Sequence, residues 1–83
     1  MIQVTIYSKP GCHLCEEVEA MIRQVQRRRP FELEIRDILD DPSELERYQY
    51  AIPVITLNGR EIARYRLDES TFQSHLDQHQ SSR

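Results

Sequence analysis

No stretch of this chain approaches the roughly 20 consecutive apolar residues that a membrane-crossing helix requires. Its start, Met1-Ile2-Gln3-Val4-Thr5-Ile6-Tyr7, has neither a basic leading region nor a long apolar one, so it does not resemble a secretion signal. Positive charge is not in surplus. The formal net charge is −3, whereas a general nucleic-acid binder needs a basic footprint. Cysteine is scarce, with 2 among 83 residues. The two stand close together, as Cys12 and Cys15. A disulfide that closes so small a loop does little to staple a secreted domain. These absences predict a cytoplasmic chain without membrane or nucleic-acid partners. They leave the cysteine pair as either a redox motif or half of a metal site. Repeats, low-complexity tracts and linkers are missing too, so residues 1–83 are expected to form one small domain, and a monomer, with a modest core.

What is present is a clear alternation of element types. Ile2, Val4 and Ile6 alternate with Gln3, Thr5 and Tyr7, and Phe31, Leu33 and Ile35 alternate with Glu32, Glu34 and Arg36. Period two of this kind predicts half-buried strands. Val54 to Leu57 is a continuous β-favouring run, expected to be a buried strand. Asn58-Gly59 follows it and favours a type I′ turn, with Arg60 to Tyr65 as the returning strand. Leu14, Val18, Met21, Ile22 and Val25 share one face of a helix expected from about Cys12 to Arg28, ended by Pro30. Arg27-Arg28-Arg29 then supplies favourable charge at its C-terminus. Asp41, Pro42 and Glu44 suit the N-cap, first and third positions of a second helix. Asp68 suits the N-cap of a third, with Leu67 and Phe72 as a hydrophobic staple and Leu76 continuing that face. The tail from Gln80 to Arg83 is expected to fray. The order is β-α-β-α-β-β-α. It predicts an α/β fold: a mixed four-stranded sheet with helices on both faces and a right-handed first crossover.

The chemistry is concentrated in Tyr7-Ser8-Lys9-Pro10-Gly11-Cys12-His13-Leu14-Cys15, where the first strand hands over to the first helix. In open α/β sheets, that carboxyl edge is where ligands bind. Free backbone N–H groups and the helix dipole favour an anion at Cys12, and Lys9 adds a nearby positive charge, so Cys12 is expected to be the nucleophilic thiolate. Cys15, one turn further in and less accessible, suits the resolving role. Two sulfurs three residues apart on a helix share a face and can close a disulfide with little backbone movement. His13 has two readings: an imidazolium that stabilises the Cys12 thiolate, or a solvated side chain, since a helix N-terminus disfavours its positive form. Glu16 and Glu17 are expected to be solvated partners of the dipole.

With Tyr7 to Cys15, Ile52-Pro53-Val54 and Asn58-Gly59 in this order, the chain resembles the glutaredoxin family of the thioredoxin fold over nearly its whole length. It is most similar to short glutaredoxin-like proteins with a Cys-His-Leu-Cys centre. The resemblance implies a dithiol oxidoreductase without a resident cofactor, acting on protein disulfides or glutathione mixed disulfides, with glutathione as a candidate reductant. It implies that Pro53 follows a cis bond and lies against the cysteines, and that Ile52 offers backbone hydrogen bonds to a bound thiol peptide. It also implies that Lys9 matches a residue that pairs with a glutathione carboxylate. The chain departs from the family pattern in three places. Leu14 stands where a Tyr is usual, Ala63 and Arg64 stand where a Gly-Gly pair is usual, and the acidic residue that follows has no counterpart because Asp68 caps a helix. Arg64 and Arg66 remain as charges that attract carboxylates.

Two other classes compete with this reading. A metal site would combine Cys12 and Cys15 with His75 and His79, which stand four apart near the C-terminus. Their distance from the cysteines in the chain does not match a finger, and both histidines read as exposed helix residues. An iron–sulfur cluster is known in the wider family, usually with glutathione as a ligand. The third reading is a thioredoxin-fold docking module without turnover.

Overall fold

The computed structural model describes residues 1–81. The opening alternation becomes strand β1 (Gln3–Ser8), followed by helix α1 (His13–Arg28), β2 (Glu32–Asp37), α2 (Pro42–Tyr48), β3 (Val54–Leu57), β4 (Arg60–Arg64) and α3 (Glu69–Ser81). The four strands form one sheet in the order β2-β1-β3-β4. β1 pairs with β2 in parallel, and the β1–β3 and β3–β4 pairs are antiparallel. The predicted α/β order and mixed sheet are therefore present. Among the described residues, no helix is long and apolar enough to cross a membrane.

Strand alternation decides which helix covers which face. Val4, Ile6, Ile55 and Leu57 pack with Val18, Ile22 and Val25 of α1 and with Phe72 and Leu76 of α3. Val54 points the other way and packs with Tyr48, Ala51 and Ile38. Helices thus lie on both faces, α1 and α3 on one and α2 on the other. On the α1–α3 side, Phe31 and Phe72 meet edge to face at 5.6 Å, a pairing that adds about 1 kcal/mol to the burial of the two rings. The Asn58-Gly59 turn has positive φ at both residues, 52° and 83°, as the predicted type I′ turn requires. Asn58 also seals the start of β1. Its side-chain oxygen accepts from the Gln3 N–H at 2.9 Å, and its own N–H donates to the Gln3 carbonyl at 2.7 Å.

Several expectations need correction. Ile35 is 36% exposed rather than buried, because β2 is an edge strand and the Ile35 end of it reaches the Pro10–Gly11 loop, where α1 has only begun. Leu14 also leaves the core stripe and is 37% exposed. β4 stops at Arg64, since Tyr65 takes a left-handed φ of 68°, which ends the ladder. A turn of 3₁₀ helix at Ile38–Asp40, started by the Asp37 side chain, had no sequence signal beyond that one Asp. The arginine run does more than favour a dipole: Arg29 bonds Asp77 at 2.6 Å and Gln73 at 3.1 Å, tying the end of α1 to α3. The helix α3 continues through Gln80 and Ser81, and the rest of the tail expected to fray, Ser82 and Arg83, lies outside the described residues.

Candidate functional site

β1 ends at Ser8, and Gly11, at φ 82°, turns the chain into α1. A left-handed turn suits glycine, whose missing Cβ removes the penalty. Cys12 is the N-cap of α1, with φ −89° and ψ 106°. Its Sγ accepts a hydrogen bond from the Cys15 N–H at 3.2 Å, and its carbonyl accepts from the Glu16 N–H at 3.1 Å. The helix start is therefore closed by a sulfur where a Ser, Thr, Asp or Asn oxygen usually sits. Cys12 and Cys15 are joined in a disulfide, with Cα atoms 5.2 Å apart. Cys15 is only 4% exposed and packs inward, whereas Cys12 is half-buried. Accessibility thus distinguishes an outer sulfur from an inner one.

Both sulfurs line a cleft of about 280 Å³ together with Lys9, Pro10, Ile35 and Asp37. Lys9 is exposed on that rim. The His13 side chain is 92% exposed and stands 3.8 Å from Glu16, so the structure sets it in solvent rather than against the cysteines. The Ile52–Pro53 bond is cis and Pro53 is fully buried. Val54, the next residue, pairs with Tyr7, which places Pro53 beside the end of β1 and the redox loop. The Pro53 carbonyl accepts from the Tyr65 N–H at 2.9 Å. Among the described residues, neither the N–H nor the carbonyl of Ile52 has a backbone partner, so its backbone is open at the same edge.

Arg64 is placed differently from Lys9, Ile52 and Pro53. It stands opposite Val54 and so is directed to the α2 face. There Glu61 holds its guanidinium through Nε and Nη2, and those hydrogen bonds raise its pKa. Arg36 is held in a similar way by Glu44 and Glu34, and burial raises the Tyr7 hydroxyl pKa beside them. His79 lies at the far end of the sheet, 3.4 Å from the Asn58 side chain. Since β1 runs from that end to the redox loop, the structure does not bring His79 to Cys12 and Cys15. Among the described residues, no three His, Cys, Asp or Glu side chains gather in a metal-binding group.

Sequence reasoning missed two features of this edge. Ile35 faces the disulfide, and Tyr65 stands near Pro53. The first had no signal because alternation alone does not show where a helix stops covering a strand. The second follows from backbone geometry that tyrosine rarely adopts.

The profile of a family described as Glutaredoxin-like domain (DUF836) matches residues 3–77. A protein from Nitrosomonas europaea, solved in solution, is 30% identical, with 89% of each chain covered and a TM-score of 0.76. A structural-genomics protein from X. campestris is 26% identical over 90% of this chain and 96% of its own, also at a TM-score of 0.76. Thioredoxin from Fasciola hepatica is 18% identical over 94% of this chain and 80% of its own, with a TM-score of 0.66, and shares the fold.

Proposed function

The chain belongs to the glutaredoxin-like domain family, and on that premise we propose that it is a thiol–disulfide oxidoreductase with a dithiol mechanism. In the reduced protein, the Cys12 thiolate attacks one sulfur of a substrate disulfide. A mixed disulfide forms with Cys12, and the other substrate sulfur leaves as a thiolate that takes up a proton. Cys15 then loses its proton and attacks the Cys12 sulfur. The second substrate thiol is released and the Cys12–Cys15 disulfide remains. The substrate has gained two electrons and two protons, and the protein has lost them. An external thiol, glutathione or a dithiol reductase, restores the pair by the reverse exchange. The substrates are protein disulfides or glutathione mixed disulfides in the cytoplasm. The chain acts as a monomer without a resident cofactor. Lys9, Ile52 and Pro53 line the approach to Cys12, while His13 stays in solvent and Arg64 remains bound to Glu61.

The observation that carries this reading is the position of Cys12. Its sulfur occupies a helix N-cap and accepts a backbone N–H, while its partner sulfur is buried one turn inside. Donors and a positive dipole end favour the thiolate, the reactive form.

Equilibration in glutathione or dithiothreitol buffers tests the proposal. A working centre should have a potential of about −200 to −270 mV, the range of glutaredoxins and thioredoxin. A pair that stays oxidised below about −300 mV is structural, and the proposal then fails.

A further inference from the structure

A cleft of about 480 Å³ opens between the start of α1 and the segment joining β4 to α3. Leu14 and Val18 line it from the helix, and Tyr65 and Leu67 from the segment. Leu14 is 37% and Tyr65 50% exposed, so large apolar surface on both sides of the cleft is left to solvent. Leu14 is two residues beyond Cys12, and the Tyr65 N–H is bonded to the Pro53 carbonyl at 2.9 Å. The cleft therefore runs along the edge that carries the redox pair, on the side away from Ile35.

Tyr65 is the unusual residue there. Its φ of 68° is a conformation that glycine or asparagine adopts with less strain, and strained residues gather at functional sites. Two hydrogen bonds hold the turn, the one to Pro53 and another from the Arg66 N–H to the Arg64 carbonyl at 2.7 Å. Both use backbone atoms only, so any residue tolerating this φ would serve the turn. The ring is in neither of the aromatic pairs found among the described residues. The fold does not use the side chain that makes the turn strained.

Charge defines what the cleft suits. Arg66 is the one cation lining it, and among the described residues it has no ion-pair partner. Asp68, beside it, already accepts from the Thr71 N–H at 3.2 Å. The geometry points to Tyr65 as a specificity-determining residue that, with Leu14, grips an apolar side chain next to the reacting cysteine of a polypeptide disulfide, while Arg66 receives a carboxylate of the same segment. The inference rests on the dithiol reading above and adds its substrate class, an extended polypeptide with apolar and acidic residues around the cysteine.

The test compares wild type, Tyr65→Gly and Arg66→Gln on three substrates. One is a disulfide peptide with Leu and Glu flanking the cysteine, one has Gly and Lys there, and the third is hydroxyethyl disulfide. Wild type should prefer the Leu–Glu peptide. Tyr65→Gly should melt no lower than wild type, because glycine relieves the strained turn. It should keep its turnover of hydroxyethyl disulfide. Its KM for the Leu–Glu peptide should rise about tenfold at nearly constant kcat, the scale of one lost apolar anchor. Arg66→Gln should show a smaller rise for the same peptide and none for the Gly–Lys peptide. Tyr65→Asn, which also tolerates the turn, replaces Tyr65→Gly if glycine loosens the segment. An unchanged KM in the Tyr65 variants, or no peptide preference in wild type, overturns the inference. Failure of wild type on hydroxyethyl disulfide overturns the oxidoreductase reading instead.

Discussion

All three helices of this protein begin at the same edge of the sheet, yet they do not begin alike. β1, β2 and β4 run in one direction, and each is followed by a helix. At the start of α2, the Asp41 carboxylate accepts from the Ser43 and Glu44 N–H groups at 2.8 and 3.4 Å. At the start of α3, Asp68 accepts from the Thr71 N–H at 3.2 Å. At the start of α1, the acceptor is the Cys12 sulfur, which takes the Cys15 N–H at 3.2 Å. The backbone builds one kind of slot three times, with free N–H groups and the positive end of a dipole aimed at it. Two slots hold a permanent anion and serve stability. The third holds a group that becomes an anion on reduction and deprotonation, which turns the same geometry into chemistry.

The sharpest way to break this comparison is to exchange the capping atoms. Cys12→Ser keeps a good capping oxygen, so the helix and the fold should survive with an unchanged far-ultraviolet circular dichroism spectrum. Turnover of any disulfide should nevertheless fall by on the order of a thousandfold or more, as expected when a nucleophile is removed. Asp68→Ser makes the equivalent change at α3 and should leave turnover nearly intact. If Cys12→Ser retains activity, the sulfur at α1 is only a cap.

A smaller effect sharpens the same point. In Cys15→Ser, the Cys12 thiol should titrate below about 8.5, the free-cysteine value, because the donors and the dipole stabilise its ionised form. Alkylation rate against pH measures it. Lys9→Gln should move the inflection up by only a few tenths of a unit, since an exposed charge is screened by water and salt. An inflection at or above the free value means that the slot does not act on sulfur as it acts on carboxylate.

Much of this edge was legible in the sequence, for physical reasons. Asp41-Pro42 and Asp68 are local cap signals, and Asn58-Gly59 is a local turn signal, so each carries its meaning within a few residues. The cysteine pair declared itself by spacing and by its place after a strand. What was not legible depends on distant parts of the chain. Arg29 meets Asp77 only because two helices lie side by side. Ile35 is exposed because the sheet ends at β2, although its alternation matched that of Val4 and Ile6. Arg64 was expected among the substrate-binding residues because of its place in the family pattern. Its pairing with Glu61 follows from a β-bulge in β4, marked by the register shift between Ile55 and Thr56, which alternation does not reveal. The two exposed helix histidines expected near the C-terminus are half-buried, His79 against the far turn.

The gentlest test concerns the two aspartate slots and depends on the sign of their titration. Hydrogen bonds from the Ser43 hydroxyl and N–H hold the Asp41 carboxyl below its ordinary value of 3.8. The Thr71 hydroxyl and N–H do the same for Asp68. A carboxyl that is more acidic in the folded chain than in the unfolded one stabilises the fold above the unfolded pKa. As pH falls from there through the lower folded value, the unfolded chain takes up protons first, and that stabilisation is lost. Thermal melts should therefore show the melting temperature holding between pH 5 and 7, then dropping below about pH 4, the ordinary aspartate range. Asn caps a helix about as well as Asp but does not titrate. The double variant Asp41→Asn with Asp68→Asn should thus melt close to wild type at pH 7 and show a shallower acid limb. An unchanged acid limb would place the acid sensitivity in other carboxylates, such as Glu44 beside Arg36. A large loss at pH 7 would show that the negative charge, and not the capping hydrogen bond, holds these two helix starts. In that case a neutral Cys12 thiol would hold the start of α1 less firmly than the thiolate does.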